Sequence, residues 1–152
     1  MGISTHPATF IDDSYNANPV SMKMALETLF SLENFGRRIA VLGDMLELGD
    51  KSEKWHSELG AQASRADMLL LYGQFAQAAE GGALAAGMSP GKVSVSQSHA
   101  EMAERIASVW VEGDLFLIKG SRGMEMERVL NELERRVNEH SGPAAAGLRK
   151  KT

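Results

Sequence analysis

The segment Ile11-Asp12-Asp13-Ser14-Tyr15-Asn16-Ala17-Asn18-Pro19 joins an apolar run directly to a helix start, and nearly every side chain in the join is polar. Strand-to-helix loops lie at the carboxyl edge of a parallel sheet. There the acceptors Asp12 and Asp13 and the amides Asn16 and Asn18 could hold a sugar hydroxyl, a phosphate or a metal. A second polar cluster, Lys119-Gly120-Ser121-Arg122-Gly123, follows another apolar run, and the guanidinium fork of Arg122 suits bidentate capture of a carboxylate or phosphate. Asp44 and Glu47 lie in a third loop, Gly43-Asp44-Met45-Leu46-Glu47-Leu48-Gly49, whose apolar members read as loop packing. Asn18 is also well placed to cap the helix before Pro19, a contribution of about 1 kcal/mol, and Asp12 to tie down loop amides. The four histidines are widely spaced, which argues against a multi-histidine metal site, and His56 reads as a helix-surface residue.

The elements that must position these loops follow from hydrophobic periodicity. Ala8 to Ile11 reads as a short buried strand, and the helix after it carries Met22, Ala25, Leu26, Leu29 and Phe30 as one apolar stripe before Asn34 and Gly36 end it. Ile39 to Leu42 is a second strand, followed by a helix with Trp55, Leu59 and Ala63 at four-residue spacing. Met68 to Tyr72 is a third strand. The helix from Gln74 to Ala86 contains Gly81-Gly82, each costing about 1 kcal/mol against alanine, and is expected to be broken there. Lys92 to Val95 makes a short fourth strand. Ser98 and Glu101 have capping-box spacing for a helix burying Met102, Ile106, Val109 and Trp110. Leu115 to Ile118 is the fifth strand, and the last helix carries Met126, Val129, Leu130, Leu133 and Val137 on one face. Five strand–helix units in series predict a Rossmann-like three-layer α/β domain over residues 1–140. Its sheet is mainly parallel, of five or six strands, with helices on both faces. Residues 141–152, including the basic end Arg149-Lys150-Lys151, read as a disordered, solvated tail.

Composition narrows the class. A chain of 152 residues with ordinary apolar and charged fractions suits one core, and a formal net charge of -4 gives no reason to expect nucleic acid or a membrane as partner. Zero cysteine excludes a disulfide scaffold and a thiolate metal site and fits a reducing cytoplasm. No apolar run is long enough to span a bilayer, and no targeting segment is expected.

Several familiar chemistries lack their residues. No Gly-x-Gly-x-x-Gly follows the first strand, which weakens a dehydrogenase reading. The string Gly82-Ala83-Leu84-Ala85-Ala86-Gly87-Met88-Ser89 has Met88 where a phosphate-binding lysine belongs. A two-component receiver would share Asp12, Asp13 and Lys119, but the end of the third strand reads Leu71-Tyr72-Gly73, with no carboxylate to accept a phosphoryl group.

Three strings remain: Asp12-Asp13-Ser14-Tyr15-Asn16-Ala17-Asn18-Pro19 with Ser21-Met22; Leu42-Gly43-Asp44-Met45-Leu46-Glu47-Leu48-Gly49 with His56 downstream; and Lys119-Gly120-Ser121-Arg122-Gly123-Met124. Together, over roughly residues 10 to 135, they resemble the C-terminal domain of the Mur ligases, and within that family the branch that adds D-alanyl-D-alanine to UDP-MurNAc-tripeptide. The resemblance implies the third of three domains, which closes over ATP and magnesium held mainly by a central domain and over a UDP-sugar peptide bound by an N-terminal one. It implies an acyl-phosphate route to the pentapeptide precursor of peptidoglycan. This chain, lacking the phosphate loop, would contribute no catalytic residue and would not ligate alone. Asp13 would then accept from the ATP ribose, with Tyr15 and Asn16 facing the nucleotide. Asp44, Glu47, Lys119, Ser121 and Arg122 would meet substrate or the central domain. A free-standing Rossmann-like nucleotide-binding or interaction module is the alternative.

Overall fold

Short apolar runs alternate with amphipathic stretches along the chain, and the computed structural model, which describes residues 8–141 and 149–151, turns that alternation into a wound sheet. In chain order the elements are β1 (Thr9–Asp13), α1 (Pro19–Ser31), β2 (Arg38–Leu42), α2 (Ser52–Ala63), β3 (Met68–Tyr72), α3 (Ala76–Ala85), β4 (Val93–Ser96), α4 (His99–Val109), β5 (Leu115–Lys119), α5 (Glu127–Ser141) and β6 (Arg149–Lys151). The strands lie in the order β4-β3-β2-β5-β1-β6, all parallel. The chain winds outward from β1 to β4 and then returns to insert β5 between β1 and β2. That reversal opens a crevice at the carboxyl ends of the three central strands, where ligands bind in such sheets.

Strand residues alternate between two apolar layers. Ala40, Leu42, Leu69, Leu71, Leu115 and Leu117 pack with Met22, Leu26 and Leu29 of α1, Leu59 and Ala63 of α2, and Ala76, Ala79 and Ala83 of α3. Phe10, Ile39, Val41, Leu70, Phe116 and Ile118 pack on the other face with Met102, Ala103 and Ile106 of α4 and Val129, Leu130 and Leu133 of α5. Burying one such large side chain is worth about 1.5–3 kcal/mol, so the two layers together hold the sheet between the helices. At the amino edge, Arg37 clasps the buried carboxylate of Asp114 through Nε (3.0 Å) and Nη2 (2.7 Å). These hydrogen bonds raise the Arg37 pKa above its ordinary value against the opposing effect of burial.

The architecture read from the sequence is the one observed, with local differences. The first strand runs on to include Asp12 and Asp13, because β5 extends to Lys119 and offers them ladder partners. Asn18 caps α1 as expected, and Ser21 returns the bond: Ser21 N–H donates to Asn18 Oδ1 and Asn18 N–H to Ser21 Oγ. Ser98 Oγ likewise accepts from Glu101 N–H, while Glu101 accepts from Gln97 N–H. Helix α3 is unbroken: Gly82 sits where a Cβ would lie 1.9 Å from the carbonyl oxygen of Ser57 in α2, so it is close packing that requires glycine. Val109 and Trp110 are only half-buried. The expected tail is corrected at both ends. Ser141 closes α5, and Arg149–Lys151 form β6 on the free edge of β1, which accepts any extended main chain through its unpaired N–H and C=O groups. The remainder of that expected tail lies outside the described residues.

Candidate functional site

Parallel register sets Asp13 opposite Lys119, and Leu42 opposite Lys119 on its other side, so the loops after β1, β2 and β5 leave the sheet together. The Lys119 side chain is 3% exposed and threads up to this edge, donating to Asp13 Oδ2 at 2.9 Å and to the carbonyl oxygen of Asn16 at 2.8 Å. Its charge is thus neutralised by a carboxylate whose own side chain is 44% exposed. Arg122 opens a single 3-10 turn, Arg122–Met124, and its guanidinium lies 5.1 Å from the centre of the Tyr15 ring. Tyr15 itself is 73% exposed, a large ring standing in solvent at the rim.

Asp12, Asp13, Ser14, Tyr15, Arg122, Glu125 and Glu127 surround an open depression of about 490 Å³, within the usual range for small-molecule sites. Next to it, Asp13, Tyr15, Asn16 and Lys119 border a second depression of about 410 Å³ that runs along α1. The rim is mostly carboxylate with Arg122 as its cation. Such a surface suits a ligand that donates hydroxyls to the acids and offers one anionic group to the guanidinium.

Of the residues singled out in the sequence, Asp13, Tyr15, Asn16 and Arg122 border these depressions and Lys119 forms the floor of the second. Asp12 accepts from the Ser14 hydroxyl at 2.6 Å and not from loop amides. The Asn16 side-chain oxygen accepts from Ala17 N–H at 2.8 Å. Asp44 and Ser121 do not border the depressions. Asp44 is 3% exposed and accepts from the N–H groups of Gln74 (2.7 Å) and Phe75 (3.1 Å). Ser121 Oγ accepts from Leu46 N–H (2.8 Å) and donates to the Ala17 carbonyl (3.3 Å), so its hydroxyl ties the three loops to one another. Glu47 is exposed, in the left-handed region at φ 63°, and lies outside both depressions. Met45 is buried and Leu48 half-buried, as loop packing requires, whereas Leu46 is 39% exposed.

Two features escaped the sequence. Glu125 and Glu127 line the larger depression, and Glu125 adopts φ 50°, a conformation costly for a residue with a Cβ. Nothing in the sequence signals this, since glycine would be the usual choice there. His56 is the second correction: it is buried, 1% exposed, and not on the helix surface. Its ring stacks on Phe75, in the loop after β3, at 4.7 Å, because α2 turns that face inward toward the loops after β2 and β3. Among the described residues no three His, Cys, Asp or Glu side chains converge as metal ligands.

Comparison with known proteins shows the family of the chain. The family model described as "Mur ligase, glutamate ligase domain" matches residues 2–122. The UDP-N-acetylmuramoyl-tripeptide--D-alanyl-D-alanine ligase of Bacillus subtilis (strain 168) is 39% identical over 127 residues, covering 82% of this chain and 28% of that protein. The enzyme of the same name from Escherichia coli (strain K12) is 35% identical over 128 residues, covering 82% and 26%. Among solved structures, crystal structure II of MurF from Acinetobacter baumannii superposes with a TM-score of 0.72 at 37% identity, over 86% of this chain and 29% of that one. The MurF ligase from Thermotoga maritima, in complex with ADP, gives 0.67 at 29% identity, over 84% and 28%. The chain therefore spans between a quarter and three tenths of the length of these relatives.

Proposed function

The chain belongs to the Mur ligase family, matching its glutamate ligase domain. From that premise we propose that it serves as the C-terminal closing domain of an ATP-dependent ligase that adds D-alanyl-D-alanine to UDP-MurNAc-tripeptide. The observation that carries this reading is the convergence of Asp13, Tyr15 and Arg122 on one open depression at the switch point of the sheet, in a chain aligned over most of its length with ligases of that name.

In the proposed reaction ATP phosphorylates the tripeptide carboxylate, releasing ADP. The dipeptide amine then attacks the acyl carbon, forms the amide and expels phosphate. This chain's residues would act on the substrates before and during those steps. Asp13, half-exposed and fixed by Lys119, suits acceptance from ribose hydroxyls. Asn16 and Tyr15 stand at the entry of α1, whose amino end carries partial positive charge. Arg122, held over Tyr15, suits a phosphate or carboxylate, at about 1.5–3 kcal/mol for a charged hydrogen bond. Closing the depression against the rest of the enzyme would keep water from the acyl phosphate. Magnesium, as the family resemblance implies, would be held mainly by the central domain. The reading implies a cytoplasmic enzyme, where its nucleotide substrates are made.

The test is turnover by the chain joined to its missing domains. Phosphate release should require both UDP-MurNAc-tripeptide and D-alanyl-D-alanine, with D-glutamate failing to replace the dipeptide. Arg122→Ala should raise KM for ATP or dipeptide about tenfold or more, given the energy of a charged hydrogen bond. Unchanged turnover and unchanged KM values would remove Arg122 from the site; phosphate release with D-glutamate in place of the dipeptide would overturn the substrate assignment.

A further inference from the structure

Both ring nitrogens of the buried His56 face main-chain groups of opposite sense. Nδ1 lies 2.6 Å from the carbonyl oxygen of Ser52, which can only accept, and Nε2 lies 2.9 Å from the N–H of Met45, which can only donate. Nδ1 must therefore carry the proton and Nε2 must present a lone pair. Asp44 Oδ1 also lies 4.0 Å from Nε2, beyond hydrogen-bond reach, so the two closer backbone groups fix the tautomer.

What that lone pair holds is the loop after β2. The Met45 N–H that it accepts is followed by the Leu46 N–H, which donates to Ser121 Oγ at 2.8 Å. Ser121 Oγ donates in turn to the Ala17 carbonyl, and Ser121 N–H donates to the Asp44 carbonyl at 2.9 Å. Asp44, from its other end, fixes the Gln74–Phe75 turn on whose ring His56 stacks. One imidazole thus stands at the root of a bonded path that crosses from α2 through the loop after β2 to the loops after β5 and β1. No other side chain on that path both accepts from the loop and is locked in a helix.

We infer that His56 is a positioning residue: its neutral, Nδ1-protonated ring sets the loop after β2, and through Ser121 sets the spacing of the loops bearing Asp13 and Arg122. It touches no substrate. Its effect on nucleotide binding rests on the function proposed above, whereas its effect on the loops does not. Glutamine can bring an acceptor oxygen to the level of Nε2, asparagine reaches only to Nδ1, and phenylalanine keeps ring shape and stacking without an acceptor.

The experiment uses the 152-residue chain as it stands, with His56→Gln, His56→Asn and His56→Phe. Nitrogen-15 shifts of the ring should show a protonated Nδ1 and an unprotonated Nε2 in the parent chain. Hydrogen exchange at Met45, Leu46 and Ser121 should stay within about threefold of the parent in the Gln variant. It should accelerate about tenfold or more in the Asn and Phe variants, as expected for local loss of a buried hydrogen bond. Met102 and Ile106, on the opposite layer, should be unmoved. ADP titrations should follow the same order, the Gln variant near the parent and the other two weaker by about fivefold or more. A protonated Nε2 in the parent overturns the inference. So does exchange that is as fast in the Gln variant as in the Phe variant, or slow in all three. If neither the parent nor any variant binds ADP, measurable nucleotide affinity rests on the missing domains, and the exchange pattern alone decides the role of His56.

Discussion

Lys119 and Asp13 form an ion pair whose two members see different environments, and that asymmetry fixes the sign of a test. The ammonium is 3% exposed and the carboxylate 44% exposed. Removing the lysine leaves a carboxylate that water can reach; removing the aspartate strands a buried charge with only the Asn16 carbonyl for company. Asp13→Ala is therefore expected to destabilise the chain by about 2 kcal/mol, while Lys119→Met, which keeps the apolar stem, should cost about 1 kcal/mol or less. Urea unfolding of the two variants measures the order, and a larger loss for Lys119→Met would refute it. Residue types alone pointed to both partners, because acids and a lysine beside strand ends are visible in any sequence. They did not reveal that Asp44, His56 and Ser121 spend their polar atoms on one another's loops. Those bonds join positions far apart in the chain, Ser121 to Ala17 and Asp44 to Gln74, and become visible only when the sheet order brings the loops together.

The pairing of α2 with α3 shows why helix propensity misread one element. Two adjacent glycines, Gly81 and Gly82, lower the helical preference of that stretch equally, yet their surroundings differ. A Cβ on Gly81 would meet nothing within 4 Å, whereas one on Gly82 would lie 1.9 Å from the Ser57 carbonyl oxygen, and one on Gly60 opposite would lie 1.8 Å from that of Ala79. The two helices touch backbone to backbone. Gly81→Ala should stabilise the chain by about 0.5–1 kcal/mol through helix propensity alone. Gly82→Ala should destabilise it by about 1–3 kcal/mol despite the same propensity gain, since the helices must part. Thermal melts followed by circular dichroism should move in opposite directions for these neighbours, and melts that rise together would show that the contact is softer than the geometry indicates. Strands and helices with clean periodicity were legible because burial on two layers leaves a pattern. The α3 glycines were legible only as a defect, since the partner that explains them lies on another element.

Taken whole, the molecule separates its two sheet edges: polar loops that bear the site at one, and structural clasps at the other. At the amino edge Asp114 is 1% exposed and accepts from Arg37 and from Val111 N–H, while its carbonyl accepts from Thr9 N–H, so this one residue joins the starts of β1, β2 and β5. Asp114→Ala would leave the guanidinium without its anion and the Val111 amide unpaired. Arg37 remains partly in water, which places the cost near the lower end for a broken buried pair, about 3 kcal/mol. A domain of this size is stable by about 5–15 kcal/mol, so the variant should still fold. Because the clasp and the depression lie at opposite ends of the strands, the folded variant should keep the parent's exchange rates at Met45, Leu46 and Ser121 even as its urea midpoint falls. Loss of protection at those three amides in native buffer would mean that the sheet transmits strain along its strands, and the two edges would have to be treated as one coupled frame.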